Sequence, residues 1–400
     1  MAKNAKWTVM VLMGANNIPG HEGALKKFAD ADLEEMQAVG SRDGVLNIVV
    51  QIDQPEKRGG AQRFKVTKNG RADVQPLPDG QGSSGDPHVL EYFLRWAKKK
   101  YPADHYLLVL WGHAYDLAFN RDPNDPEGLD FPMLSDVLRR TNSSNKKLDI
   151  VAFDSCNTGL IEAAYQLRST AKYMVASQFS DPLPGWPYEK ILNRILNDRN
   201  YENNHTYLAS EDGPKDLGRA IVSQFVRNYR GKISASMTML DLSQVQQVGD
   251  QVEELAMILT LAVNGDADER ARVTDIFRRC QVPSLKPQGQ PSVDLMNFCW
   301  NLASFSRSDE VRVAAAAVGD SLLIPSSTPG SAMDGENALI VAHARNDLVV
   351  AMLQGVSIFA PNVVSESEFN RGNLREKYSR LDFAQTTRWG DLVFGLAESD

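Results

Sequence analysis

Short apolar runs alternate with amphipathic segments from the beginning of the chain, and no other feature constrains the fold as much. Trp7 to Met13, Val45 to Asp53, Tyr106 to Trp111, Leu148 to Phe153 and Tyr173 to Ala176 have the length and residue types of strands. Helix-period segments stand between them, at Ala29 to Val39, His88 to Lys100, Met133 to Arg140 and Leu160 to Arg168. Strands separated in this way pair in parallel, because a crossover long enough to hold a helix returns the chain to the same end of the sheet. The expected fold class is therefore α/β, with three α/β/α layers around a mostly parallel central sheet.

Other segments fill in this frame. Gln62 to Thr67 and Arg71 to Gln75 predict a hairpin beside the main sheet, since Asn69-Gly70 accepts the positive φ of a tight turn. Pro78 to Pro87 reads as a loop. Residues 1–200 form the expected core, and residues 201–400 an α/β region that is mostly helical. The latter carries a helix over Asp216 to Tyr229, a strand at Ser236 to Leu240, helical pattern from Ser243 to Ile324, and late strand-like runs at Leu339 to Ala344 and Gly355 to Ala360. Pattern alone leaves open whether those late strands return to the same sheet.

Composition removes several classes. Apolar residues make up 42% of the 400 and charged residues 24%, so the chain is globular and not disordered or fibrous. A net charge of −8 argues against a general nucleic-acid binder. The three cysteines, Cys156, Cys280 and Cys299, form no CxxC pair and no zinc-type cluster, which predicts a reducing, cytosolic setting without a structural metal. Lys3 and Lys6 before an apolar run superficially resemble a signal peptide, but the run reads better as the first strand. No apolar stretch reaches the roughly 18 residues that span a bilayer. The glycine patterns include no P-loop, and neither a nucleotide nor a redox cofactor is expected.

Two of the strands run into potentially reactive side chains. Leu108-Val109-Leu110-Trp111 leads to Gly112-His113-Ala114, and Val151-Ala152-Phe153 leads to Asp154-Ser155-Cys156-Asn157. In an open α/β sheet ligands bind beyond the carboxyl ends of the strands, where these two side chains can meet. A cysteine attacks a carbonyl as thiolate, and a nearby imidazole favours that form and supplies the leaving amine with its proton. The Cys156 N–H, at a strand-to-helix turn, is a candidate oxyanion donor. Taken singly, a cysteine ending a core strand is more often inert, and such a histidine more often structural. The conjunction favours a thiol hydrolase.

These residues resemble the clostripain-type cysteine peptidases of the caspase-like fold. Trp7 to Asn17 is similar to the family's first strand and turn, Trp111-Gly112-His113 to its histidine motif, and Asp154-Ser155-Cys156 to its Asp-x-Cys motif. Val175-Ala176-Ser177, Gly185-Trp186-Pro187-Tyr188 and Thr238 to Ser243 follow in the same order, with a weaker match at Val356 to Pro361.

The resemblance implies a cysteine endopeptidase in which His113 and Cys156 are the catalytic dyad, with cleavage of protein or peptide substrates after arginine or lysine. It places Asp154 in the pocket that reads the basic side chain, where charge-assisted hydrogen bonds are worth about 1.5–3 kcal/mol. The plain alternative is that Asp154 caps the helix after Cys156. Asp181 is a further candidate for the same pocket. Where the family usually has glycine after the histidine, this chain has Ala114. Its N–H can still serve the oxyanion, although a left-handed alanine costs about 1–2 kcal/mol.

Some relatives cut themselves between histidine and cysteine, and Arg121, Arg139-Arg140 and Lys146-Lys147 are the basic candidates here. Some bind calcium. The acidic stretch with Asp116, Asp122, Asp125, Glu127 and Asp130 lacks the ligand spacing and glycine of an EF-hand, so a solvated loop is its default reading. Activation of one dedicated substrate protein, such as a pore-former, is a further expectation, and no sequence feature identifies it.

Two other readings compete. Gly319-Asp320-Ser321-Leu322 matches the nucleophile block of GDSL-type esterases, but it follows an alanine-rich helical run, and His343, the later histidine, lacks the acid three residues before it. A caspase-like scaffold that has lost activity is the non-enzymatic alternative. Retention of both His113 and Cys156 argues against it.

Overall fold

The computed structural model describes residues 4–16, 25–55, 60–77, 82–115, 117–119, 128–142, 146–196, 212–283, 291–323, 338–346, 352–360 and 374–397. They form two compact units: Met1–Cys156, Ser169–Ala176 and Asp181–Asn228 in the first, and Asn157–Arg168, Ser177–Ser180 and Tyr229–Asp400 in the second.

The first unit contains β1 (Ala5–Gly14), α1 (Lys26–Val39), β2 (Leu46–Asp53), β3 (Gln62–Thr67), β4 (Gly70–Pro76), α2 (Pro87–Lys100), β5 (Ala103–Trp111), the short strands β6 (Ala114–Tyr115), β7 (Ala118–Phe119) and β8 (Leu129–Asp130), and α3 (Phe131–Thr141). It continues with β9 (Leu148–Asp154), β10 (Ala171–Ala176), α5 (Tyr188–Leu196) and most of α6 (Gly213–Tyr229); α4 (Ile161–Leu167) belongs to the second unit. Its strands lie in the order β10-β9-β5-β1-β2-β3-β4. All pairs from β10 to β2 are parallel, and β3 and β4 are antiparallel.

The physical logic follows from burial. Every residue of β2 and β9 is buried, as strands covered on both faces must be. From β1 the chain steps one way to β2 and the other way to β5. Right-handed crossovers therefore place α1 and α2 on opposite faces of the sheet, and α1 packs on α5 while α2 packs on α3. Helix α2 begins where Asp86 accepts from the His88 N–H at 2.7 Å with Pro87 at the first turn, and it ends in Lys98, Lys99 and Lys100, which suit the negative end of the helix dipole. The predicted hairpin forms at Asn69 (φ 62°), but it joins the sheet through β2 and does not stand beside it. Three short strands, β6 to β8, arise in a segment where the pattern suggested no strands.

The second unit holds α4, β11 (Ser236–Asp241), α7 (Val245–Gly265), α8 (Ala267–Arg279), β12 (Ser292–Asp294), α9 (Leu295–Phe305), α10 (Asp309–Leu322), β13 (Ile340–Arg345) and β14 (Ser357–Phe359), then helices at Leu374–Ser379, Asp382–Thr386 and Trp389–Ala397. β11 pairs antiparallel with β13, and β14 with β12. The late run around Gly355 to Ala360 thus finds its partner in a three-residue strand hidden inside a stretch that reads as helical. A buried polar network pins it, with Gln178 Nε2 donating to Asp294 Oδ2 and Ser357 Oγ, each at 2.9 Å. Gly319-Asp320-Ser321-Leu322 is the last turn of α10, with Gly319 and Leu322 buried, and not the strand-end nucleophile turn of a GDSL enzyme.

Candidate active site

The pairing register of two neighbouring strands assembles the site. Trp111 at the end of β5 pairs with Asp154 at the end of β9, and the Gly112 N–H donates to the Asp154 carbonyl at 3.2 Å. His113 and Cys156 each follow two residues past that pair, so both emerge at the same level beyond the carboxyl edge. They line one pocket together with Ser155, Asp181, Leu183 and Gly185. The sheet order reverses at β1, beside β5, and such a reversal opens a crevice at the strand ends.

Local backbone conformation turns the two side chains out. Gly112 has φ 146°, a region that side-chain-bearing residues rarely adopt, which makes glycine the fitting residue before His113. Asn157, just after the cysteine, has φ 55° and turns the chain sharply; asparagine tolerates this conformation better than most residues. Ala114 lies in β6 and is absent from the positive-φ positions, so the strain expected of an alanine here does not arise. Tyr115 and Ala118 pair next to the turn, and Ala114 pairs with Phe119. By the alternation of antiparallel ladders, the Ala114 N–H then points away from β7.

Cys156 differs from the other two cysteines in its surroundings. It is half-buried, and its Sγ accepts a hydrogen bond from the Asp181 N–H at 3.2 Å. The same Sγ also lies 3.9 Å from the Asp181 carbonyl, to which a thiol can donate. Cys280 and Cys299 are buried; burial pushes the Cys280 thiol up to about 12 and the Cys299 thiol higher still, which holds both protonated.

Beneath the pocket lies Asp154. Its Oδ2 accepts from the Tyr188 hydroxyl at 2.9 Å and from the Trp186 N–H at 3.2 Å. The helix-capping alternative for Asp154 fails, because α4 starts at Ile161, its N-cap residue Leu160 makes no side-chain cap bond, and Asp154 is engaged by Trp186 and Tyr188. Burial raises its pKa, while the bonds from Tyr188 and Trp186 oppose the rise. A second carboxylate, Asp32 on α1, is also buried and accepts from Trp111 Nε1 at 2.7 Å. Burial and the nearby Asp154 charge raise the pKa of Asp32 as well.

The sequence reading missed Asp32, Tyr188 and the spatial role of Gly185. Gly185-Trp186-Pro187-Tyr188 was visible as a motif, but nothing along the chain ties it to Asp154. Asp32 follows a helical pattern like any surface acid, and only its 2% exposure marks it out. Of the acidic stretch, Asp116, Asp122, Asp125 and Glu127 lie outside the described residues, and Asp130 caps α3 by accepting from the Met133 N–H at 2.8 Å. Among the described residues no group of three or more His, Cys, Asp or Glu side chains is arranged to hold a metal ion.

A thiol, an imidazole and a buried carboxylate around one crevice at the ends of parallel strands have the layout of a thiol hydrolase. The chain belongs to the clostripain family, whose model matches residues 12–394. Clostripain from Hathewaya histolytica is 25% identical over 306 residues, which cover 64% of this chain and 57% of that protein. The chain therefore spans little more than half the length of this relative.

Two solved structures share the fold. An inactive zymogen C11 protease from Parabacteroides distasonis aligns with a TM-score of 0.65 at 17% identity, covering 97% of this chain and 99% of the other. A secreted C11 cysteine protease from Bacteroides thetaiotaomicron, in complex with an irreversible peptide inhibitor, aligns with the same TM-score at 16% identity, covering 96% and 99%.

Proposed function

We propose that the protein is a cysteine endopeptidase that cleaves after arginine or lysine. The observation that carries this reading is the convergence of Cys156 and His113 on one pocket whose base is the buried carboxylate of Asp154. Family membership and the clostripain relative support it.

In this reading His113 accepts the Cys156 proton, and the thiolate attacks the carbonyl carbon of the scissile bond. The oxyanion of the tetrahedral intermediate is held by the N–H groups of Cys156 and Ala114. His113 then gives its proton to the leaving amine, and the C–N bond breaks to leave a thioester. Water, deprotonated by His113, hydrolyses the thioester and regenerates the thiol. Asp154 binds the basic side chain before the scissile bond, and Asp181 holds the cysteine from the neighbouring loop.

Self-processing extends the proposal. Arg121 lies outside the described residues, and Arg139 and Arg140 sit within α3, where Arg140 pairs with Glu91 and Asp136. Lys146 and Lys147 precede β9 and are the better candidates, since proteases bind extended chain. They lie at the opposite end of this seven-residue strand from Cys156, roughly 23 Å away at 3.3 Å per residue, so cutting there is the work of a second molecule.

The test is a set of peptides differing only before the scissile bond, with arginine, lysine, glutamine or leucine. Cleavage confined to the first two and lost in Cys156→Ala is expected. Cleavage after leucine, or activity retained in Cys156→Ala, would refute the assignment. Absence of turnover together with no adduct from an arginine-based acyloxymethyl ketone would favour the inactive scaffold.

A further inference from the structure

The far edge of the sheet carries a second concave site. It lies at the amino ends of β5 and β9, within the first unit, and has a volume of about 440 Å³. Among the described residues that line it, five are basic and none is acidic. Arg95 and Lys98 come from α2, Arg140 from α3, and Lys146 and Lys147 from the segment before β9. Such a concentration of positive charge stands out in a chain of net charge −8.

The cations differ in how they are compensated. Glu91 accepts from Arg95 Nε at 2.9 Å and from Arg140 Nε at 2.8 Å, and Asp136 pairs with Arg140 as well. Lys98 and Lys146 bond instead to neutral oxygens. Lys98 Nζ donates to the Thr141 carbonyl at 3.2 Å and to Asn142 Oδ1 at 3.0 Å, and Lys146 Nζ donates to the Asp104 carbonyl at 2.9 Å. Both ammonium groups stand over the ring of Tyr106, 5.8 Å and 6.0 Å from its centroid. Among the described residues no ion pair joins either to a carboxylate. Asp149 and Asp104, the acids at this strand edge, receive Lys172 and Lys6. Burial and then the Lys146 charge lower the pKa of Lys98 to about 8, a cost that an anion between the two would relieve.

We propose that this cavity binds a small polyphosphate anion, and that the bound anion shields Lys146 and Lys147 from cutting. A phosphate chain packs several charges into a small volume, and its oxygens accept from guanidinium and ammonium groups that arrive from different directions. An extended polyanion such as nucleic acid fits less well, because the cations are confined to one cavity and the chain as a whole is acidic. Shielding follows from the lysine side chains themselves. An ammonium group paired with phosphate cannot at the same time enter the specificity pocket of a second molecule. This consequence rests on the self-processing reading of Lys146 and Lys147, whereas the binding site stands without it.

The experiment titrates sodium tripolyphosphate into Cys156→Ala protein by calorimetry. The pH is 7, where Lys98 is charged, and the salt about 0.15 M, which screens exposed charges beyond roughly 8 Å. One saturable site per chain is expected. Lys98→Gln and Lys146→Gln should each weaken it about tenfold, the loss of one charge-assisted hydrogen bond. Arg278→Gln, which removes an exposed cation of the second unit, should leave it unchanged. Absence of binding, equal weakening by all three substitutions, or citrate binding as tightly as tripolyphosphate overturns the site. If Lys98→Gln folds poorly, the exposed Lys146 gives the determination. ATP separates two sources of the same chemistry: affinity no tighter than that of tripolyphosphate assigns a bare phosphate chain, and tighter binding a nucleotide.

Shielding is read by adding active protein to the Cys156→Ala chain with and without tripolyphosphate. Cutting after Lys146 or Lys147 should slow in proportion to occupancy, while hydrolysis of a short arginine peptide keeps its rate. Undiminished cutting of the saturated chain overturns the shielding. No cutting even without the anion overturns the self-processing reading and the shielding together, and leaves the binding site to the calorimetric result.

Discussion

The backbone N–H of Asp181 points at the Sγ of Cys156 from 3.2 Å, so Cys156 is held by a loop twenty-five residues further along the chain. That donor, together with partial exposure, sets Cys156 apart from two thiols kept protonated by burial. Brief treatment with iodoacetamide at neutral pH should therefore alkylate Cys156 and leave Cys280 and Cys299 unmodified in the folded protein. Peptide mapping by mass spectrometry reads this directly. Equal labelling of all three would mean that the interior of the second unit opens readily.

Asp154→Asn should lower kcat/KM on arginine substrates by about 10- to 150-fold, the equivalent of a lost charge-assisted hydrogen bond. The same change should stabilise the empty protein in alkali. The folded-state pKa of Asp154 is raised by burial, so the stability linked to its proton is full below the unfolded value near 4 and is lost as pH rises through the folded value. Melting temperatures of variant and parent should coincide near pH 4 and diverge as pH rises to about 7, with the variant higher and the gap constant above that. A gap that shrinks toward alkaline pH would contradict the buried-charge account.

Asp149 stands at the other end of β9 and offers a contrast. It is buried, and it receives Lys172 Nζ at 2.8 Å and the Tyr106 N–H at 2.9 Å, with His105 Nδ1 at 3.4 Å. Burial alone would raise its pKa, but these partners outweigh burial and hold it below the usual carboxylate range. Its contribution is thus present above the unfolded value and is lost as pH falls through the folded one. Asp149→Ala should destabilise the fold by about 1.5–3 kcal/mol at pH 7. Turnover at 25 °C should be unchanged, since the site lies beyond the opposite strand end; a large loss of kcat with intact melting behaviour would count against this.

His343 in β13 gives the second unit its own acid sensitivity. Thr238 Oγ1 lies 2.8 Å from Nδ1 and the Leu353 carbonyl 3.1 Å from Nε2. Burial and then the Arg345 charge lower its pKa to about 4. Folding thus favours the neutral ring, and its contribution is full above about 6.5 and falls away as pH drops toward 4. His343→Gln should flatten the dependence of denaturation midpoint on pH between 6.5 and 4.5. An unchanged slope in urea titrations would place the acid sensitivity elsewhere.

Much of this architecture was legible along the chain, for identifiable reasons. Strands such as β1, β5 and β9 are apolar runs of the right length between helical patterns, and Asn69-Gly70 has few backbone options other than a tight turn. His113 and Cys156 were visible because each ends such a strand, and strand ends in a parallel sheet gather at one edge. Strand β12 was not legible: three residues carry too little pattern, and they become a strand only because β14 pairs with them.

By itself, the sequence determined the alternation of elements, the two reactive side chains and the motif order that marks the family. These depend on residue type and spacing along the chain, which local physical preferences read directly. Tertiary structure alone decided that Trp111 pairs with Asp154, that the Asp181 N–H reaches Cys156, and that Asp32 on α1 meets Asp154 across Gly185. Those relationships join residues far apart in sequence, and their energies arise from shared burial, which exists only once the chain has folded.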